Sequence, residues 1–375
     1  MMKVMTILGT RPEVIRLSRV IAKLEKYMDH ILVHTGQNYD YELNEIFFDD
    51  LKIKKPNYFL DSAGKTPAEN VGRVISRSDK IIREENPDAI LILGDTNSCL
   101  AAYSAKRLKV PVFHMEAGNR CFDQRVPEEI NRRLIDHISD INLPYSTISR
   151  NYLIKEGISP DRIIKTGSPL YEVLDYYMSA INKSKILHNL NLKRDDYFLV
   201  SAHREENIDD SVQFGGLINM LNEVSELFGK RIIVSTHPRT KKKMDEKNIT
   251  LNPLVELLNP QGFFDYVKLQ IAAKAVFSDS GTITEESSIL NFPAINIRNV
   301  HERPEGMEEG AVMLTGLSME RIKEALIILQ NQPKGKTRTL MVVDDYKAPN
   351  VSEKVIRIIL SYTNYVKMFV YHKNE

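Results

Sequence analysis

Several short clusters in this 375-residue chain combine groups that bind an anion with groups that move a proton. GTRPE, residues 9–13, follows an apolar run. Gly9 permits a tight turn there, and Pro12 suits a first helical position. Arg11 would then stand at a helix N-terminus, where backbone N–H groups favour an anion, with Arg16 near one turn further on. A capped helix with surface arginines explains the same letters. GDT, residues 94–96, directly follows AILIL. Asp95 either projects from the strand end as an acid or base, or caps a helix. HMEAGNR, residues 114–120, ends another apolar run with a histidine and a carboxylate two apart. In an extended segment His114 and Glu116 share a face. Ending a buried strand that way is costly unless both groups are paired or solvated in a site.

VPEEINRRLIDH, residues 126–137, reads as a helix opened by Pro127. Glu128, Asn131 and Arg132 then fall on one face. An ordinary helix start with acids in its first turn and an i,i+4 ion pair is the plainer reading. SAHREEN, residues 201–207, offers His203 and Arg204 as anion partners. SDSGTITEESS, residues 278–288, turns through Ser280, Gly281 and Thr282 into a helix. Such a turn presents backbone N–H groups to a phosphate, and Glu285 or Glu286 could accept from ribose hydroxyls. A Thr282–Glu285 capping box fits the same residues.

Other chemistries find little support. GKT, residues 64–66, lacks the glycine that a phosphate-binding P-loop needs five residues earlier. No G-x-G-x-x-G follows a strand, so no bound NAD and no other cofactor is expected. His30, His34, His137 and His188 have no metal-ligand spacing, and no metal is expected. The two cysteines, Cys99 and Cys121, form neither a metal motif nor a disulfide framework, which reads as a reducing cytoplasm. A net charge of +1 gives no basic excess for nucleic acid. MMKVMTILGT reads as a buried first strand rather than a signal peptide, and no apolar run is long enough to span a bilayer.

These clusters need elements to place them. VMTIL at 4–8, ILVHT at 31–35, AILIL at 89–93 and VPVFHM at 110–115 read as strands separated by helical patterns, the first helix being VIRLSRVIAKLEKYM. The rhythm restarts with YFLVS at 197–201, RIIVST at 231–236, LVELL at 254–258 and AVFSDS at 275–280. The expected fold is α/β: two Rossmann-like domains with parallel sheets, facing a cleft at the carboxyl ends of their strands. The first domain spans 1–170 and the second 190–350. The stretch YYMSAINKSKILHNLNLKRDD lies at the boundary, and a last helix within 352–375 packs back on the first domain.

In chain order GTRPE, GDT, H-x-EAG-x-R, PEE-x-NR, AHREEN, SDSG-x-x-x-EES and ERPEG resemble the non-hydrolysing UDP-N-acetylglucosamine 2-epimerases, from residue 9 to about 310. The resemblance implies a glycosyltransferase-B-type fold, a UDP-sugar substrate in the interdomain cleft, and a homodimer. It implies Asp95, Glu116 and Glu128 as acid/base residues and His203 as a proton shuttle or diphosphate stabiliser. Arg11, Arg204 and the Ser280–Gly281 turn would hold the diphosphate, with Arg16 and Arg132 also in the binding set. Tyr266 would lie near the uracil and Glu286 near the ribose. SDSGTITEESSILNFPAI and NVHERPEGMEEG resemble the subgroup that makes UDP-N-acetyl-L-fucosamine for capsule or O-antigen. Arg16 replaces a lysine common in the wider family. TGQNYDYEL departs from the TGQH-x-x-x-LD form near an activating UDP-sugar site of some members, which weighs against such activation. A glycosyltransferase of the same fold needs only one base, and a non-catalytic UDP-sugar binder would have lost a carboxylate or His203. The hydrolysing branch of the family is not favoured by this spelling.

Overall fold

The computed structural model describes residues 1–36, 45–202, 210–236, 238–300 and 302–373. The chain divides into two compact units, Met1–Asp175 with Asp344–Glu375, and Tyr176–Val343.

In the first unit β1 (Lys3–Leu8), β2 (Asp29–His34), β3 (Tyr58–Phe59), β4 (Ala89–Leu93), β5 (Val112–Met115) and β6 (Ile141–Leu143) form one parallel sheet. Its order is β3-β2-β1-β4-β5-β6. The central strands are apolar at consecutive positions because both faces of a parallel sheet are covered by helices. Met5 and Ile7 of β1 pack with Val74, Ile81 and Ile82 of the helix Pro67–Glu85. Alternation sends Val4 and Leu8 to the opposite face, and both are fully buried. The helix Arg11–Tyr27 buries Val14, Leu17, Ile21 and Leu24, one apolar stripe at helical spacing. The C-terminal helix Val351–Tyr365 packs beside it, with Lys23 paired to Glu353. Each fully buried Leu, Ile or Val contributes about 1.5–3 kcal/mol by leaving water.

The second unit repeats the plan with β7 (Tyr197–Ser201), β8 (Arg231–Ser235), β9 (Val255–Leu258), β10 (Ala275–Ser278), β11 (Ala294–Asn296) and β12 (Met313–Leu314). The order β12-β11-β10-β7-β8-β9 is the same topology, with its reversal between β7 and β10. Alternation is explicit here. Phe198, Val200, Ile232, Phe277 and Ile295 join one core with the helices Ser211–Phe228 and Met319–Leu329. Tyr197, Leu199, Ile233, Val276 and Ala294 join the other with Leu269 and Ala272 of the helix Phe263–Ala272.

Two Rossmann-like α/β units are thus present, as the alternating pattern implied. The strands β3, β6, β11 and β12 are additions to that pattern. At two or three residues each, they are too short to display a period. The stretch 176–196, polar in sequence, is largely helical: it holds the end of the helix Leu170–Lys183 and the short helix Ile186–Asn189.

Register fixes where the loops emerge. Ile7 pairs with Ile92, and Leu93 with Met115. Gly9, Gly94 and Glu116 are therefore each the first residue beyond three adjacent strands, about 4.8 Å apart from strand to strand. In the second sheet Ser201 is in register with Ser278, so Ala202 and Asp279 are level.

One half-buried histidine should make the stability of the first unit depend on pH. The His30 imidazole on β2 bonds to the Thr6 hydroxyl at 2.9 Å. Burial, with a smaller effect of Lys54, holds its pKa down to about 4 from 6.5. The unfolded chain therefore binds this proton first as pH falls. Stability contributed above pH 6.5 should be lost as pH drops toward 4, by about 3 kcal/mol. Urea unfolding at pH 7 and pH 4.5 should show this loss, and His30→Gln should remove most of it.

Candidate functional site

The loops after β1 and β4 meet at the point where strand order reverses in the first sheet, the place where ligands bind in open α/β sheets. Thr10 is the N-cap of the helix Arg11–Tyr27, and Pro12 occupies its first turn. Glu13 turns back, and its Oε2 accepts from the N–H groups of Gly9 at 2.7 Å and Thr10 at 2.6 Å. Its Oε1 accepts from the hydroxyls of Thr96, at 2.8 Å, and Ser98. Burial pushes the Glu13 carboxyl above its usual range, against these four hydrogen bonds, which favour the charged form. Arg11 lies with its guanidinium 5.5 Å from the Phe47 ring, and burial lowers its pKa.

Asp95 sits just beyond Gly94, whose φ of +73° lets the chain turn sharply out of β4. Arg132 holds the Asp95 side chain, with Nε at 2.9 Å and Nη2 at 2.7 Å from Oδ2. Asn131 donates to the Asp95 carbonyl at 2.9 Å. Arg132 also reaches Glu129 Oε2 at 3.1 Å, and Glu129, fully buried, receives Arg133 and the Cys121 N–H as well. The helix Glu128–Ile138 therefore presents Asn131 and Arg132 to the Asp95 loop. The buried carboxylate beneath Arg132 is Glu129, one residue from the one singled out in sequence. Glu128 itself is the first residue of the helix and half-buried.

The sequence argument that His114 and Glu116 share a face fails. The strand ends at Met115, and Glu116 has a φ of +66°, so alternation no longer applies. His114 is buried inside the unit, with Nε2 2.9 Å from the Gly94 carbonyl and Nδ1 3.0 Å from Asp136 Oδ1. Glu116 turns elsewhere, to Arg16 Nη1 at 3.7 Å and Asn119 Nδ2 at 3.2 Å. Arg16 is itself buried, 5.8 Å from the Tyr145 ring. The turn is held from below. Asp136 accepts from the Gly118 N–H at 3.1 Å and from Arg120 Nη1 at 2.8 Å, and Arg120 is bidentate to Glu156. A left-handed backbone at a glutamate costs about 1–2 kcal/mol, and this network offsets it.

In the second unit the turn after β10 is built from hydroxyls. Ser280 N–H donates to Ser278 Oγ at 3.1 Å, Thr282 N–H to Ser280 Oγ at 3.3 Å, and Ser280 and Thr282 hydroxyls lie 2.9 Å apart. The helix begins at Thr282 with Gly281 as its N-cap, so Thr282 is not the cap residue of a capping box. Glu285, fully buried, pairs instead with Arg303 Nη2 at 3.1 Å, while Arg303 Nε donates to the Gly281 carbonyl at 3.2 Å. Glu286, on the open side of the helix, receives Gln270 Nε2 at 2.6 Å. The Tyr266 hydroxyl is raised well above its usual pKa, chiefly by burial and then by Glu286. Tyr266, Gln270 and Glu286 thus form one cluster beside the Ser280–Gly281 turn.

His203 and Arg204 lie outside the described residues, as does most of TGQNYDYEL. Among the described residues no group of three or more His, Cys, Asp or Glu side chains could hold a metal ion, and no helix is long and apolar enough to cross a membrane. Glu13, Glu129, Asp136 and Arg303 were not singled out in sequence. Each is a buried partner of a residue in a motif, and only Glu13, third in its helix like a capping-box acid, carried a local signal.

Two doubly wound parallel units, each with charged groups gathered where its strand order reverses, define an α/β protein of the glycosyltransferase-B type. The family model for UDP-N-acetylglucosamine 2-epimerase matches residues 22–360, and the chain belongs to that family. A UDP-N-acetylglucosamine 2-epimerase structure from Rickettsia bellii is 48% identical, covers 100% of both chains and superposes with a TM-score of 0.92. The Methanocaldococcus jannaschii UDP-N-acetylglucosamine 2-epimerase is 37% identical over 89% of this chain and 93% of its own length. A crystal structure of the enzyme from that organism, in complex with UDP-GlcNAc and UDP, matches at 35% identity over 96% of this chain and 100% of its own, with a TM-score of 0.88. The Pseudomonas aeruginosa UDP-2,3-diacetamido-2,3-dideoxy-D-glucuronate 2-epimerase is 33% identical over 86% of this chain and 91% of its own length.

The turn that carries Glu116 can be tested directly. Gly118 has a φ of +82°, and a Cβ there would stand 2.4 Å from the Ser149 carbonyl oxygen. Gly310, with a φ of +67°, has open space around it. Gly118→Ala should destabilise the protein by more than about 2 kcal/mol, and Gly310→Ala by only about 1. Denaturant midpoints of the two variants compare the steric cost with the backbone cost alone.

Proposed function

We propose that the protein inverts C2 of a UDP-linked N-acetylated amino sugar, with UDP-N-acetylglucosamine and UDP-N-acetylmannosamine as the interconverted pair. The observation that carries this reading is the set of loops leaving three level, adjacent strands of the first sheet. They bring Asp95 to Arg132 and Glu116 to Arg16, each carboxylate on an arginine.

The chemistry has to overcome the low acidity of the C2 proton, which has no neighbouring carbonyl. Elimination solves this. A carboxylate takes the C2 proton, the C–H electron pair becomes the C1=C2 bond, and UDP leaves with the pair of the C1–O bond. The product is a 2-acetamidoglycal. UDP oxygen then adds back to C1 while an acid delivers a proton to the other face of C2. Carboxylates on both faces and positive groups on the departing diphosphate are required. We assign Asp95, Glu116 and Glu128 to the proton steps and His203 to the proton or the diphosphate. Arg11, Arg204 and the Ser280–Gly281 turn take the diphosphate, and Tyr266 and Glu286 the uridine. Arg16 and Arg132 act on this reading by holding Glu116 and Asp95, a change from the direct binding role that the sequence resemblance implied.

A second reading is favoured by one observation. The spellings SDSGTITEESSILNFPAI and NVHERPEGMEEG resemble the subgroup acting on UDP-2-acetamido-2,6-dideoxy-L-talose to give UDP-N-acetyl-L-fucosamine. On that reading the product serves capsule or O-antigen synthesis. A cytoplasmic homodimer belongs to either reading.

Proton NMR in D₂O with both UDP-sugars in parallel tests the proposal. Deuterium at C2 with conversion of UDP-N-acetylglucosamine supports the first reading, and conversion of the L-talo sugar alone supports the second. Free sugar with free UDP overturns both in favour of hydrolysis, and no exchange with either sugar overturns the epimerase proposal. Asp95→Asn, Glu116→Gln and Glu128→Gln should each lower the exchange rate by roughly 10²–10⁴-fold.

A further inference from the structure

We propose that Glu13 is a positioning residue that clasps the loops after β1 and β4 together and so sets the place of Asp95; this rests on the acid–base role proposed above for Asp95. The carboxylate has four donors in two pairs. The N–H groups of Gly9 and Thr10 meet Oε2, and the hydroxyls of Thr96 and Ser98 meet Oε1. One pair belongs to the loop that carries Arg11, the other to the loop that carries Asp95. Helix capping needs only the first pair. The second pair reaches across the strand-order reversal, more than 80 residues along the chain, and binds the residue directly after Asp95.

The clasp completes a set of restraints on that loop. Arg132 fixes the Asp95 side chain, Asn131 takes its carbonyl, and His114 takes the carbonyl of Gly94. Glu13, in the first turn of the helix that follows the neighbouring strand β1, holds the next residue, Thr96. It is 2% exposed, so it meets no substrate, and its effect on chemistry passes through the loop. A displacement of about 1 Å in a reacting group can cost on the order of 10²-fold in rate.

Thr96→Val with Ser98→Ala cuts the cross-loop pair and leaves the cap intact. With the full chain and the UDP-sugar that the parent converts, C2 exchange should show kcat reduced by about 10–100-fold with KM within about threefold. Ser98→Ala alone should give an intermediate loss. Glu13→Gln can keep its oxygen on the two N–H groups and donate to the two hydroxyls, which rotate to accept. Its loss should stay below about tenfold, whereas Glu13→Ala should match the double variant. UDP binding should be unchanged in the Thr96→Val/Ser98→Ala double variant, which keeps the Gly9 and Thr10 pair beside Arg11, and this separates a misplaced loop from a lost fold. Parental kcat in the double variant, or a rise in KM alone, would overturn the clasp. An inactive parent would overturn the epimerase proposal, and this inference with it.

Discussion

A parallel sheet sends every loop that follows a strand out at the same end, the carboxyl end of its strands, and that constraint governs both units of this protein. Charged groups on those loops collect at the end of a dry, apolar layer, where an unpaired charge is expensive. The chain responds with partners. Asp95 has Arg132, Arg132 has Glu129, Glu116 has Arg16, and Glu285 has Arg303. The strand order places these loops, and charge pairing decides which side chains can stand on them.

The pairs form a second layer beneath the loops. Asp136 is the centre of one such group, drawing in the Gly118 N–H, Arg120 and His114. Groups of this kind are buried and hydrogen-bonded, so they favour one loop conformation over its neighbours. The left-handed backbone at Glu116 is an instance. A glutamate there is held at φ +66° because the residues on either side are already fixed.

Much of this was legible in the sequence, for definite reasons. AILIL and YFLVS announce central strands because a doubly covered strand must be apolar throughout, and each is followed at once by polar residues. That juxtaposition singled out Asp95, the Glu116 turn and the Ser280–Gly281 turn, each of which does lie directly beyond a strand. The partners were hidden because they are distant in sequence. Nothing local in SPLYE or ERPEG says that Glu172 will meet Ser352 or that Arg303 will meet Glu285. The face assigned to His114 and Glu116 failed because one left-handed residue ended the alternation on which it relied. Short edge strands such as β3 and β12 owe their existence to a neighbour rather than to a pattern of their own.

The interrupted course of the first unit has a consequence for synthesis on the ribosome. Its sheet is complete once Leu143 has emerged, but the helix Val351–Tyr365, which covers the helix Arg11–Tyr27, is made only after the whole second unit. The whole segment Tyr176–Val343 is translated in between. At about 5–20 residues per second that delay is on the order of 10–30 s. Through it, the nascent first unit must present the bare flank of its first helix to the cell. Termination anywhere before Val351 would leave that flank without its cover.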